Sequence, residues 1–230
     1  MARVLLGVTG SVAAIRTPQL HAALRQRGHQ VKIVATEPSL YFFDLQSLPP
    51  GVVHRDADEW PRRGQGWLWQ RDDPVLHIEL RRWADLFLIA PLDANTLTKL
   101  AVGLCDNCLT CVWRAWDPAR PVVLAPAMNT VMWEHPAVQH NLAVLAGRGV
   151  RVVEPGSGYL ACGWEGKGRL ADPDAIVAAA VYHGNDPDGE CRKLLGNIQR
   201  AIVIPQPEVY FAAIKYNADP LVLTEDTGVV

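Results

Sequence analysis

Residues 121–136, PVVLAPAMNTVMWEHP, decide how this chain is built. Val122, Val123, Leu124 and Ala125 form a short apolar run, β-branched at its start and bracketed by Pro121 and Pro126. A continuous apolar run between breakers is the pattern of a strand buried on both faces, as in a parallel sheet. Pro126 has no N–H to give a ladder, so the chain leaves the sheet there. A helix is expected from about Met132, with Pro136 in or near its first turn. Asn129 then falls between strand end and helix start, at the carboxyl edge where open α/β folds take ligands. Its amide offers both a donor and an acceptor. Met128, Met132 and Trp133 can wall a flat apolar ligand. The same spacing equally suits an asparagine that only ties down its own loop, with the methionines and tryptophan in the core.

Working outward, the same strand–turn–helix grammar recurs. Arg3–Val8 reads as a first strand, Thr9, Gly10 and Ser11 as a turn, and Val12 to about Arg27 as a helix interrupted by Pro18 and closed by Gly28. The turn lacks the G-x-G-x-x-G order of a dinucleotide fingerprint. Its backbone N–H groups and the Ser11 hydroxyl still suit one phosphate at a helix N-terminus. Gln30–Ala35 is a second strand, with Thr36 at its ligand edge as a helix cap or a ligand contact. A short helix over 39–45 and an edge strand over 51–54 follow. From Asp56 to Asp73 no period survives, and Trp60, Trp67 and Trp69 sit in what reads as an irregular loop beside a pocket or against a second subunit. Pro74 opens a helix with Leu76, Leu80 and Trp83 on its apolar face and His77 on its first turn; alone, such a histidine reads as structural. Asp85–Ala90 is a central strand stopped by Pro91. Asp93 to Thr96 then make a ligand-edge turn, with Ala94 or Asn95 capping a helix to Leu104. A further helix runs to Trp116; Val138, Leu142 and Leu145 give another a buried stripe; Val150–Val153 close the sheet. Pro155–Asp172 is rich in glycine, able to move and to approach a ligand, and carries Cys162.

Whole-chain properties bound the function. The 230 residues are 49% hydrophobic, enough for a full core, and carry a formal charge of -2, which argues against a nucleic-acid surface. No apolar run reaches membrane-spanning length, and the start of the chain enters a strand without a secretory pattern. Cys105, Cys108 and Cys111 are spaced by three on a helix with no second pair, so packed thiols are expected rather than a metal site. Free thiols point to a cytoplasmic protein.

Five segments follow one another in a fixed order: GVTGSVAA (7–14), DADEW (56–60), DPVLHIELRRWADLFLIAPLDANTLTKLAVGLCDN (73–107), PAMNTVMW (126–133) and LACGWEGKGRLADP (160–173). Together they resemble the flavin-dependent cysteine decarboxylases, and most closely the phosphopantothenoylcysteine decarboxylases. The resemblance implies a Rossmann-like, flavodoxin-like α/β three-layer sandwich around a mainly parallel sheet over residues 1–182. Residues 183–230 would be an extension, opening on the linker HGNDPDGE, with a strand over 198–204 and an amphipathic piece over 208–215. It implies FMN as cofactor, held by Gly10, Ser11, Thr36, Asp93, Asn95, Ala127 and Met128. It implies His77, Asn129 and Cys162 as catalytic residues, with Asn129, Ala161, Cys162 and Gly163 meeting the substrate. The implied reaction takes phosphopantothenoylcysteine to phosphopantetheine in coenzyme A synthesis, in a homotrimer or higher oligomer whose site is completed across a subunit boundary. Relatives of the same fold decarboxylate peptide cysteines or regulate a protein phosphatase; the joint presence of His77, Asn129 and Cys162 favours an enzyme. The resemblance also makes the glycine-rich segment a substrate flap, where Arg169 departs from the small residue of similar segments.

Overall fold

The computed structural model describes residues 1–60 and 63–181. The extension expected over 183–230, with its linker and its pieces at 198–204 and 208–215, lies outside the described residues. Six strands form one parallel sheet: β1 (Arg3–Val8), β2 (Gln30–Ala35), β3 (Val53–Arg55), β4 (Leu86–Leu92), β5 (Val122–Pro126) and β6 (Arg151–Val152). Their order is β3-β2-β1-β4-β5-β6. The run β2-β1-β4-β5-β6 is the flavodoxin arrangement, and the three-residue β3 extends its edge. The winding reverses between β1 and β4, which opens a crevice at the carboxyl edge there.

The helices are α1 (Thr17–Gln26), α2 (Asp56–Glu59), α3 (Leu76–Trp83), α4 (Ala94–Val102), α5 (Cys108–Arg114), α6 (Thr130–Glu134), α7 (Pro136–Gly147) and α8 (Pro173–Val181). Side chains alternate across each strand, so neighbours feed opposite layers. Leu6, Val8, Leu88 and Val123 pack with Leu20 and Leu24 of α1 and Ile176 and Val177 of α8. Leu5, Phe87, Ile89 and Leu124 face the other way, onto Leu80 of α3, Leu97 and Leu100 of α4, Leu109 and Val112 of α5, and Leu142 and Leu145 of α7. That makes three layers, and all seven residues of β4 are buried, as the apolar run required. A last pair of strands, β7 (Gly156–Tyr159) and β8 (Glu165–Arg169), forms a separate antiparallel hairpin from the glycine-rich segment.

Several expectations are corrected. The break expected at Pro18 in the helix over 12–27 is a full restart: a 3₁₀ turn, Val12–Arg16, precedes α1, because Pro18 is tolerated only in a helix's first turn. Pro91 does not stop β4, which runs on to Leu92 with a cis Ala90–Pro91 peptide and a register shift against β5. Asp93, not Ala94 or Asn95, caps α4: its Oδ1 accepts the Thr96 N–H at 2.6 Å. The expected loop 56–73 opens with α2 and a 3₁₀ turn at Arg63–Gln65. The single helix after Asn129 is two, α6 and α7, because Pro136 starts a new helix as its first residue.

Candidate active site

The turn after β1 is tied to the ends of three other strands. Thr9 is fully buried; its hydroxyl donates to Pro91 O at 2.9 Å and accepts the Asp93 N–H at 2.7 Å. Thr36 N–H donates to Val8 O at 3.0 Å, which sets the end of β2 against the same turn. Ser11 Oγ donates to Ala127 O at 3.0 Å and so joins the turn to the end of β5. A Cβ on Gly10 would lie 2.8 Å from Pro38 and 3.2 Å from Asp93 Oδ2, so only glycine lets the chain pass between them. Gly10, Ser11, Thr36 and Asp93 thus share one crest above the winding reversal.

Beside the crest lies a cleft of about 560 Å³ lined by Ser11, Ala127, Met128, Asn129, Ala161 and Cys162, with Arg16 and Arg169 also on its wall. Asn129 caps α6: its Oδ1 accepts the Met132 N–H at 2.8 Å. The capping bond uses the acceptor and leaves the amide's Nδ2 donors for a ligand. The cap and the ligand contact, opposed in the sequence, are therefore compatible in one side chain. Cys162 is exposed in the turn between β7 and β8. That hairpin is seated on the site by its own backbone. Met128 N–H donates to Gly168 O at 3.0 Å, and Gly168 has φ +137 with no room for a Cβ, which would fall 2.2 Å from Met128 O.

Other predicted residues lie elsewhere. Gly163 is in the hairpin turn beside Cys162, and Asn95 is exposed on the first turn of α4; neither lines the cleft. Trp133 turns into the core at 7% exposure rather than walling a ligand, and Met132 is exposed. His77, on the first turn of α3, also does not line this cleft. It meets a residue that the sequence did not single out. Glu59, at the end of α2 and 5% exposed, accepts the His77 N–H at 3.0 Å and pairs with His77 Nδ1 at 2.5 Å. DADEW contained Glu59, but no local period links residues 18 apart. Arg16 and Gly168 were likewise missed; only the fold brings them to the cleft.

Among the described residues no group of His, Cys, Asp or Glu is placed to hold a metal. Burial pushes the Cys108 thiol up, with Glu59 adding to it, and burial with the neighbouring Cys105 raises Cys111 to about 11. Neither offers a ready thiolate. No helix of the described residues is long and apolar enough to cross a membrane.

The Flavoprotein family model matches residues 1–183. The chain belongs to the Flavoprotein family. The phosphopantothenoylcysteine decarboxylase of Mus musculus is 50% identical over 178 residues, 76% of this chain and 84% of that one. A solved cysteine-to-serine mutant of PPC decarboxylase, complexed with pantothenoylaminoethenethiol, superposes with a TM-score of 0.72 at 46% identity, over 79% of this chain and 97% of that one. The FMN binding protein AtHal3 superposes with a TM-score of 0.68 at 46% identity, over 79% of this chain and 95% of that one. The crest fits a Flavoprotein cofactor on this structure's own terms. Thr36 Oγ1 is a buried hydroxyl without a protein partner, a rare situation for a native polar atom and one that a ligand oxygen relieves.

Proposed function

We propose that the protein catalyses the FMN-dependent decarboxylation of 4′-phosphopantothenoylcysteine to 4′-phosphopantetheine, a step of coenzyme A biosynthesis. The observation that carries this reading is the single cleft lined by both the α6-capping amide of Asn129 and the thiol of Cys162. Gly10, Ser11, Thr36, Asp93, Asn95, Ala127 and Met128 are the residues that would hold FMN, the crest at its phosphate and ribityl end and Met128 against its apolar ring. When bound, FMN would take two electrons from the substrate before its carboxylate leaves and would return the same pair afterwards, so the net reaction needs no outside oxidant or reductant.

The chain's own groups do the rest. Asn129 Nδ2 donates to the substrate carboxylate and fixes its orientation. Ala161 and Cys162 meet the substrate in the cleft, with Gly163 beside them in the hairpin turn, and the Cys162 thiol gives its proton to the enethiolate carbon after CO₂ has left. The ligand named in the complex of the cysteine-to-serine relative is an enethiol, the species expected when that last step fails. Among the described residues the cleft is lined by Arg16 and Arg169 and by no Asp or Glu, which suits a substrate anionic at both carboxylate and phosphate. Both candidate substrates carry the carboxylate, so the second arginine favours the phosphorylated one over a peptide whose only anion there is its C-terminal carboxylate.

His77 acts in the first half of the reaction, by positioning or proton transfer. Because it does not line the cleft of its own chain, the proposed enzyme is a homotrimer or higher oligomer in which His77 of the partner subunit completes the site. Trp60, Trp67, Leu68 and Trp69, exposed by 57%, 55%, 84% and 68%, provide apolar surface for such contacts. The free thiols of Cys105, Cys108, Cys111 and Cys162 fit a reducing, cytoplasmic compartment. The test is a direct assay of the purified, yellow homomer with phosphopantothenoylcysteine, with peptides ending in cysteine, and with a protein phosphatase. Turnover of the first substrate alone is expected. Turnover of peptides alone would make it a peptidyl-cysteine decarboxylase, and phosphatase inhibition without turnover would make it a regulatory flavoprotein.

A further inference from the structure

We propose that Glu59 is a positioning residue for His77, whose carboxylate holds the imidazole as the Nδ1–H tautomer and leaves Nε2 as the ring atom that meets the substrate. The proposal rests on the reading of His77 above. Glu59 and His77 have side-chain exposures of 2% and 22%, so the ring bridges a buried carboxylate and the surface. Both carboxylate oxygens are committed to one residue. Oε2 accepts the His77 backbone N–H at 3.0 Å, and Oε1 faces His77 Nδ1 at 2.5 Å. The buried Cys108 lies near the same carboxylate, whose charge helps push its thiol up.

An ionised carboxylate only accepts, so the proton between Oε1 and the ring belongs to Nδ1. A backbone N–H only donates, so Oε2 must accept. The two bonds together fix both the start of α3 and the plane of the ring. Capping α3 alone needs one oxygen, which leaves the second to hold the ring. A carboxylate this buried is costly unless its lone pairs are filled, and His77 fills one on each oxygen. Which ring nitrogen is available is set by what the other one binds.

Glu59→Gln separates these roles. Glutamine keeps the size but offers one acceptor and one NH₂ donor to two donors. It either keeps the backbone bond and turns its NH₂ to the ring, which forces the Nε2–H tautomer, or it releases the backbone N–H. The experiment uses the FMN-loaded protein with ¹⁵N-labelled histidine, together with rapid mixing with phosphopantothenoylcysteine. Wild type should show His77 protonated at Nδ1. Glu59→Gln should show the Nε2–H form and a CO₂-release rate lower by at least about 10-fold, with FMN retained. Glu59→Asp, which keeps two acceptors, should restore part of the rate.

A wild-type ring protonated only at Nε2 overturns the proposal, even should Glu59→Gln fail to fold. So does Glu59→Gln at the wild-type rate with an unchanged ring spectrum. His77→Gln distinguishes the two layers. If it turns over normally, the catalytic reading of His77 falls and the proposal with it. If it is inactive while Glu59→Gln is fully active, the proposal alone falls.

Discussion

Replacing Gly168 by alanine moves the hairpin that carries Cys162 while changing none of the side chains assigned to chemistry. An added Cβ would stand 2.2 Å from Met128 O and 3.3 Å from the Asn129 carbonyl carbon. A carbon–oxygen contact of about 3.3 Å is the closest that is comfortable, so β8 must retreat by roughly 1 Å. The φ of +137 adds strain of about 1–3 kcal/mol for a residue with a Cβ. The retreat also stretches the Met128 N–H bond to Gly168 O, now 3.0 Å, which contributes about 1 kcal/mol. Together the cost is about 2–4 kcal/mol, borne by the hairpin's docking rather than by the parallel sheet. A shift of this size at a reacting group lowers turnover by roughly 100-fold. Gly156→Ala is the matched control in the same hairpin, since nothing lies within 4 Å of its Cβ position. Steady-state turnover, bound FMN and hydrogen exchange at the Met128 amide are measured on both variants. Gly168→Ala should lose turnover and Met128 protection while staying yellow and folded; Gly156→Ala should match wild type. Normal turnover in Gly168→Ala with Met128 still protected would refute the docking argument.

Four other outcomes are expected. Cys162→Ser should bind FMN and release CO₂ but accumulate the unreduced enethiol, read by product mass; phosphopantetheine at the normal rate would remove Cys162 from the final protonation. Asn129→Asp should keep the α6 cap yet lose turnover through repulsion of the substrate carboxylate, whereas Asn129→Ala should lose turnover and about 1 kcal/mol of stability as well, read by thermal melts. Arg169→Ala should raise KM for phosphopantothenoylcysteine more than for its dephosphorylated analogue, with the difference shrinking at high salt. Burial lowers His21, His29 and His54, so these groups favour the neutral, folded form. Their contribution is complete above the unfolded value of about 6.5 and is lost as pH falls through the folded values, so melting temperature should drop on the acid side of that point. A melting profile flat from neutral pH down into the acid range would contradict it.

The sequence by itself determined the layers of this protein. Runs such as Val122–Ala125 and Leu86–Ala90 are too uniformly apolar for one-sided sheets, and the prolines and glycines between them punctuate a parallel fold. It also placed Asn129, Ser11 and Thr36 at strand ends, because a ligand edge follows from strand direction alone. Caps were less legible. Asp93 rather than Ala94 or Asn95 starts α4, and Pro136 starts a second helix, because element boundaries turn on single hydrogen bonds that periodicity does not register. Tertiary structure decided what stands beside what. It set Gly168 against Met128, gave Glu59 to His77 and brought Arg16 and Arg169 to one cleft. It also kept His77 off the lining of the cleft that holds Asn129 and Cys162. Local pattern reports the face a residue presents over a few neighbours, whereas these pairings depend on strand order and on the docking of a distant hairpin. Both are settled only when the whole sheet has been assembled.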